Sequence, residues 1–337
     1  MLSAPPQPLP DEVHRRAAAL DAGDPLRSFP ARFLPCTDGS VRAYLDGNSL
    51  GRPPVAAATA MEDFISQRWA TRLIQGWTDE WMSWPTQVGD ELAAAALGAA
   101  PGQTLVADST SVLLYKLARA ALTLPEGVVG SAAAGTTDRT EIVVDTDNFP
   151  TDRYLLEGVA AELGRTLRWI ETDPAAGLAA EQVESAVGTR TALFVGSHVA
   201  YRSGYVADVA AITRTVHAAG APVLWDLSHS VGSVPIRLDD WQVDFAVGCG
   251  YKYLSGGPGA PAFGYVRRDL QEVASQPIQG WMGHADPFAM GHGYQRSPGI
   301  RGSSPGRHRS WPWSRCGWGS LWWPKRAWNG SAPSPWR

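Results

Sequence analysis

The sequence predicts an α/β fold, a mostly parallel sheet with helices covering both faces. Three observations carry this. Between residues 141 and 266, short apolar runs such as EIVVD, TALFVG and DFAVG recur, as strands buried on both faces require. Between several of them lie helix-like stretches ending at glycine, TDRYLLEGVAAELG and VADVAAITRTVHAAG, the rhythm of strand, crossover helix and parallel strand. No internal repeat is visible, and 337 residues suffice to bury a large core.

In chain order, residues 1–30 are Pro-rich and read as a lead-in with one short helix. YLDGNSLGRPP is a strand end followed by a turn cluster. Residues 55–75 read as an Ala-rich helix, and DELAAAALGAAPG as a second one that stops at its Gly and Pro. DSTSVLLYKLARAALTL places Ser/Thr caps before an apolar-periodic run, a helix start. EIVVD, TLRWIETD, TALFVGSHV, PVLWDLSHS, DFAVGCGYKYL and AFGYVRR supply the strands. Residues 31–300 form the expected large domain, whereas residues 301–337 show neither strand nor helix period and are expected to be a disordered tail.

Composition narrows the function. A net charge of −4 excludes a polyanion binder acting through overall charge. From residue 287 onward, however, there are eight Lys/Arg and no Asp or Glu, and seven of the fifteen tryptophans follow residue 300. Such a tail would need segregated faces to lie on a membrane, and a continuing basic groove to hold single-stranded nucleic acid. It has neither, so no nucleic-acid or membrane partner is expected. Cys36, Cys249 and Cys316 have no paired spacing, which leaves no disulfide framework, redox motif or metal site. The N-terminus lacks a signal-like apolar run, and no stretch reaches the roughly 18 apolar residues of a spanning helix. A cytoplasmic protein is expected.

In open α/β sheets, ligands bind beyond the carboxyl ends of the strands. Three such ends carry reactive side chains: Asp226 and His229 after VLW, Tyr251 and Lys252 after DFAVGCG, and Phe149 and Asp152 after EIVVDTDN. Lys252 ends an apolar strand between two tyrosines, ahead of the loop Ser255–Gly259. A lysine there is either a surface charge or a desolvated amine of lowered pKa, able to form a Schiff base. Asp226 either caps its turn or pairs with a cationic ring nitrogen, which would relieve the cost of burying it. Ser109, Thr110 and Ser111 either cap a helix or offer hydroxyls and N–H groups to a phosphate.

YLDGNSLGRPP, DSTSV, NFPTD, WDLSHSVGSVPIRLDDWQVDFAVGCGYKYLSGGPG and GWMGHADPFAM together resemble the kynureninases, fold-type-I pyridoxal 5'-phosphate enzymes, over residues 25–300. The resemblance implies a pyridoxal-phosphate-binding large domain and hydrolysis of L-kynurenine, or its 3-hydroxy form, to anthranilate, or 3-hydroxyanthranilate, and L-alanine. Carried over by match, Lys252 would hold the cofactor and take the α-proton, and Asp226 would pair with the ring nitrogen. Phe149 would stack on the ring with Asp152 beside it. Thr110, Ser111, Tyr251 and Trp281 would contact the phosphate or its surroundings, Trp281 from the partner of a homodimer. Ser197 and His229 match further cofactor positions. Ser49 and Trp77 fall near the expected substrate, Trp77 being equally suited to core packing. Another class-V pyridoxal-phosphate enzyme, an aminotransferase or a cysteine desulfurase, would share the aspartate and lysine logic. A non-catalytic fragment is the further alternative.

The resemblance stops near Gly302. Back-translated with GC-rich codons and read one frame over, Gly302–Gly319 becomes Phe-Leu-Ala-Gly-Thr followed by an apolar helix-like run, where the family pattern has a Gly-Thr segment and a helix. The tail therefore reads as out-of-frame coding sequence. The expected cost is the arginine that clamps the substrate carboxylate, a Thr or Asn that reaches the neighbouring phosphate, and part of the dimer interface. An unstable or weakly cofactor-binding chain is expected.

Overall fold

The computed structural model describes residues 10–125, 127–130 and 139–304. Its sheet has seven strands: β1 (Thr104–Ala107), β2 (Glu141–Asp145), β3 (Thr166–Ile170), β4 (Thr191–Ser197), β5 (Val223–Asp226), β6 (Phe245–Gly248) and β7 (Ala262–Val266), in the order β1-β7-β6-β5-β4-β2-β3. Strands β2 to β6 pair in parallel. Only β7 is reversed, antiparallel to both β6 and β1. The carboxyl ends of β1, β2, β4, β5 and β6 therefore open at one edge, where a ligand site belongs.

Strand alternation divides the apolar side chains between two cores. Ile142, Val144, Leu193, Val195, Leu224 and Phe245 pack on one face with α5 (Thr110–Ala121) and α6 (Pro150–Leu163). Val143, Phe194, Val223, Trp225 and Ala246 pack on the other with α4 (Trp84–Leu92), α7 (Ala180–Ala186) and α8 (Val209–Ala218). Residues i and i+1 of a strand point to opposite faces, so runs that are apolar throughout feed both cores.

The lead-in contains α1 (Asp11–Gly23), the expected short helix. The expected helix over 55–75 is broken instead. After α2 (Val55–Asp63) come a π-helical turn over Phe64–Trp69, the short α3 (Ala70–Arg72) and a 3₁₀ turn over Leu73–Gln75, with Leu73 at φ 49°. Tertiary packing overrides propensity here: the Phe64 ring meets Trp81 at 5.8 Å and Trp84 at 5.7 Å. The second helix starts at Trp84, earlier than expected, because Pro85 sits in its first turn, where a missing N–H costs nothing. No described helix is long and apolar enough to cross a membrane. The expected disordered tail over residues 301–337 does not begin at 301: a 3₁₀ turn over Gly299–Ser303 buries Gly302 and Ser303, and Ser304 is buried after it; residues 305–337 lie outside those described.

Candidate active site

The strand ends surround a cavity of about 200 Å³. Ser109, Thr110 and Ser111 line it from the start of α5, Phe149 and Asp152 from the β2–α6 junction, Asp226 from β5, and Tyr251 and Lys252 from the loop after β6. Strands far apart in the sequence thus place these eight side chains around one space.

Ser109 caps α5, its Oγ accepting from Val112 N at 3.4 Å. The N–H groups of the helix's first turn have no intrahelical acceptor and favour an anion. Across the cavity Asp226 is only 5% exposed, and both bonds from Ser228 converge on its Oδ1, at 2.8 Å from N and 2.6 Å from Oγ. Asp152 is also buried, and its Oδ2 has no hydrogen-bond partner among the described residues. Burial, then the Asp226 charge, raises the Asp152 carboxyl well above its ordinary pKa, against the opposing pull of Lys252.

Lys252 Nζ lies 2.7 Å from His229 Nε2 and 5.6 Å from the centre of the Phe149 ring. Burial and then the Lys252 charge lower the His229 pKa, so the imidazole is neutral near pH 7 and can accept from the ammonium. The Tyr251 hydroxyl is pushed up to about 12, chiefly by burial, and stays protonated. Phe149 is braced by the edge-on ring of Tyr201 at 5.4 Å, and its N–H donates to Asn148 Oδ1 at 2.7 Å.

Five sequence candidates stand outside the cavity lining. His229 reaches it only through Lys252. Ser197 donates to Asn148 Oδ1 at 3.1 Å and lines a smaller polar cavity beside it. Trp281 meets Trp77 at 6.3 Å and Phe288 at 5.9 Å, and Trp77 meets Trp81 at 5.7 Å; this is the packing alternative for Trp77, and it joins the two candidates to each other. Ser49 lies in the turn whose Gly51 N donates to Tyr251 O at 2.9 Å, so that turn rests on the lysine loop. Sequence reading missed Ser228, Thr151 and Cys249 in the lining. Ser228 was legible as an Asx-turn partner two residues after Asp226; the other two carry no local signal.

Residues 124–297, more than half of the chain, match the class-V aminotransferases. The chain belongs to the class-V aminotransferase family. This class-V chain is 42% identical over 293 residues to the kynureninase of Burkholderia pseudomallei (strain 1106a), covering 86% of its own length and 66% of the relative's. It is 40% identical to the kynureninase of Pseudomonas fluorescens, covering 84% and 64%. It thus spans slightly less than two thirds of the curated relatives it matches. In fold it is similar to a mutant of C-DES with glycine linked to its PLP cofactor (TM-score 0.68, 17% identity, 87% of this chain and 71% of that one). It is also similar to the cysteine desulfurase CsdA of Escherichia coli (TM-score 0.67, 18% identity, 87% and 69%).

Proposed function

We propose that this chain carries the pyridoxal 5'-phosphate site of a kynureninase, whose reaction is hydrolysis of the carbon–carbon bond of L-kynurenine or its 3-hydroxy form, and that its C-terminal segment limits cofactor binding and turnover by this chain. The observation that carries the reading is the single cavity joining Lys252, Asp226, Phe149 and the start of α5. The 40–42% identity to kynureninases supports the choice of substrate.

The residues fit the cofactor. The start of α5, with Thr110 and Ser111, suits the phosphate. Asp226, with Oδ1 fixed by Ser228, suits a protonated ring nitrogen, and Phe149 presents a ring face. When bound, the cofactor's electron-withdrawing ring would stabilise negative charge at the substrate α-carbon. Asp226 keeps a positive charge favourable at the ring nitrogen. Lys252 would hold the cofactor and, as a free amine, would take the α-proton at Nζ; neutral His229 can receive a hydrogen bond from that nitrogen. Asp152, its carboxyl pushed well above the ordinary pKa by burial and by the Asp226 charge, is biased toward the neutral form beside Asp226. The working unit is proposed to be a cytoplasmic homodimer in which Trp281 serves the other subunit's site and Ser49 approaches the substrate.

The 337-residue chain mixed with pyridoxal 5'-phosphate is expected to show the visible absorbance of a lysine-bound cofactor, absent in Lys252→Ala. L-kynurenine should perturb it, with anthranilate as the product of any turnover. Identical spectra for both chains would overturn the cofactor reading. Release of alanine and sulfide from L-cysteine would replace the substrate with that of a desulfurase. The out-of-frame origin of residues 301–337 is part of this proposal, and sequencing the DNA around codons 295–305 tests it.

A further inference from the structure

Beneath the Ser109–Ser111 turn lies an ion pair that the chemistry above does not use. Lys116, on α5, is fully buried, and its Nζ donates to Asp108 Oδ2 at 3.0 Å. An unpaired buried ammonium would be costly; burial lowers the Lys116 pKa while the Asp108 charge raises it. Asp108 links β1 to α5 with φ 53°, a left-handed conformation that Asp tolerates better than most residues. Its carbonyl accepts from Ala262 N at 3.1 Å, which ties the kink to β7.

Asp108 immediately precedes the cap residue of α5. A carboxylate released there would compete for the same N–H groups as an incoming anion. It would also repel a phosphate dianion across a short, poorly screened distance. In the structure the carboxylate is bonded to Lys116 and to no N–H of the first turn.

We propose that Lys116 is a positioning residue for the cofactor phosphate: by holding the Asp108 carboxylate, it keeps the first turn of α5 open to a dianion. This rests on the cofactor reading, so the test separates the two. The probes are pyridoxal 5'-phosphate and pyridoxal, titrated into the 337-residue chain and its variants by absorbance. Lys116→Met is expected to weaken pyridoxal 5'-phosphate about tenfold or more while pyridoxal changes less than about twofold. The double variant D108N/K116M exchanges the ion pair for uncharged side chains of similar size and should recover most of the lost affinity.

Equal weakening of both probes, or no weakening of either, overturns the role of Lys116. If Lys116→Met does not fold, the double variant carries the test, and loss of its preference for the phosphorylated probe overturns the proposal. A wild-type chain that binds neither probe overturns the cofactor reading and this one with it.

Discussion

Lys252 Nζ and His229 Nε2 stand 2.7 Å apart, joining the loop after β6 to the turn after β5. The lysine is buried, and the histidine is held below its ordinary pKa first by burial and then by the lysine's charge. A neutral imidazole can accept a hydrogen bond from Nζ, whereas a protonated one would repel the positive charge that a lysine-bound cofactor would carry at that nitrogen.

Acid should therefore weaken cofactor attachment in a way that depends on His229. Its folded pKa lies below the ordinary value of about 6.5, so the loss should fall below that pH. Absorbance of the lysine-bound cofactor followed against pH should show this limb in wild type and lack it in His229→Asn. An identical profile in both chains would remove His229 from the account.

Asp226 and Asp152 should respond differently to the same change. Asp152→Asn replaces a carboxyl that burial and the Asp226 charge bias toward its neutral form, and should alter cofactor affinity less than about threefold. Asp226→Asn removes a working charge and should weaken affinity about tenfold or more. It should also let the Asp152 carboxyl titrate lower, visible by carbon-labelled NMR; an unmoved Asp152 titration would contradict the coupling.

Gly51 should tolerate no side chain. A Cβ there would stand 2.2 Å from Lys252 O and 2.7 Å from Ser255 Cα, so the lysine loop would have to move. Gly51→Ala is expected to cost about 2 kcal/mol by overpacking and to reduce cofactor binding. Wild-type urea melts and cofactor titrations for this variant would disprove the contact.

His198 should make stability fall with acid. It is buried edge-on against Trp241 at 5.5 Å, its Nδ1 has no partner among the described residues, and burial lowers its pKa from 6.5 to about 4. Below pH 6.5 the unfolded chain takes up a proton that the folded one refuses, so stability is lost as pH falls toward 4, by about 3 kcal/mol in all. Urea unfolding of His198→Phe should show a smaller fall across that window than wild type does.

Much of this arrangement was legible in the residues. Strands β2 to β7 announce themselves as apolar runs, and Asp226 and Lys252 stand where such runs end. β1 was missed because Thr104–Ala107 is short and lies between a Pro-Gly turn and the Ser/Thr caps of α5, leaving too little sequence for a period to show. The break after Asp63 was equally hidden, since it follows from Phe64 meeting tryptophans that lie 17 and 20 positions further on. Lys116 gave no signal either: on a helix of good propensity it reads as a solvated charge, and only the fold shows it sealed against Asp108.

The reversed strand β7 has a consequence for how the site comes into being. Its register sets Ala107 opposite Ala262 and Gly248 opposite Phe263, so it is the seam between the strand that leads to the α5 turn and the strand that leads to Lys252. Ala107 and Ala262 are far apart along the chain, and pairings of such long range are slow to close. β7 is thus the long-range pairing that ties the two sides of the pocket into one sheet.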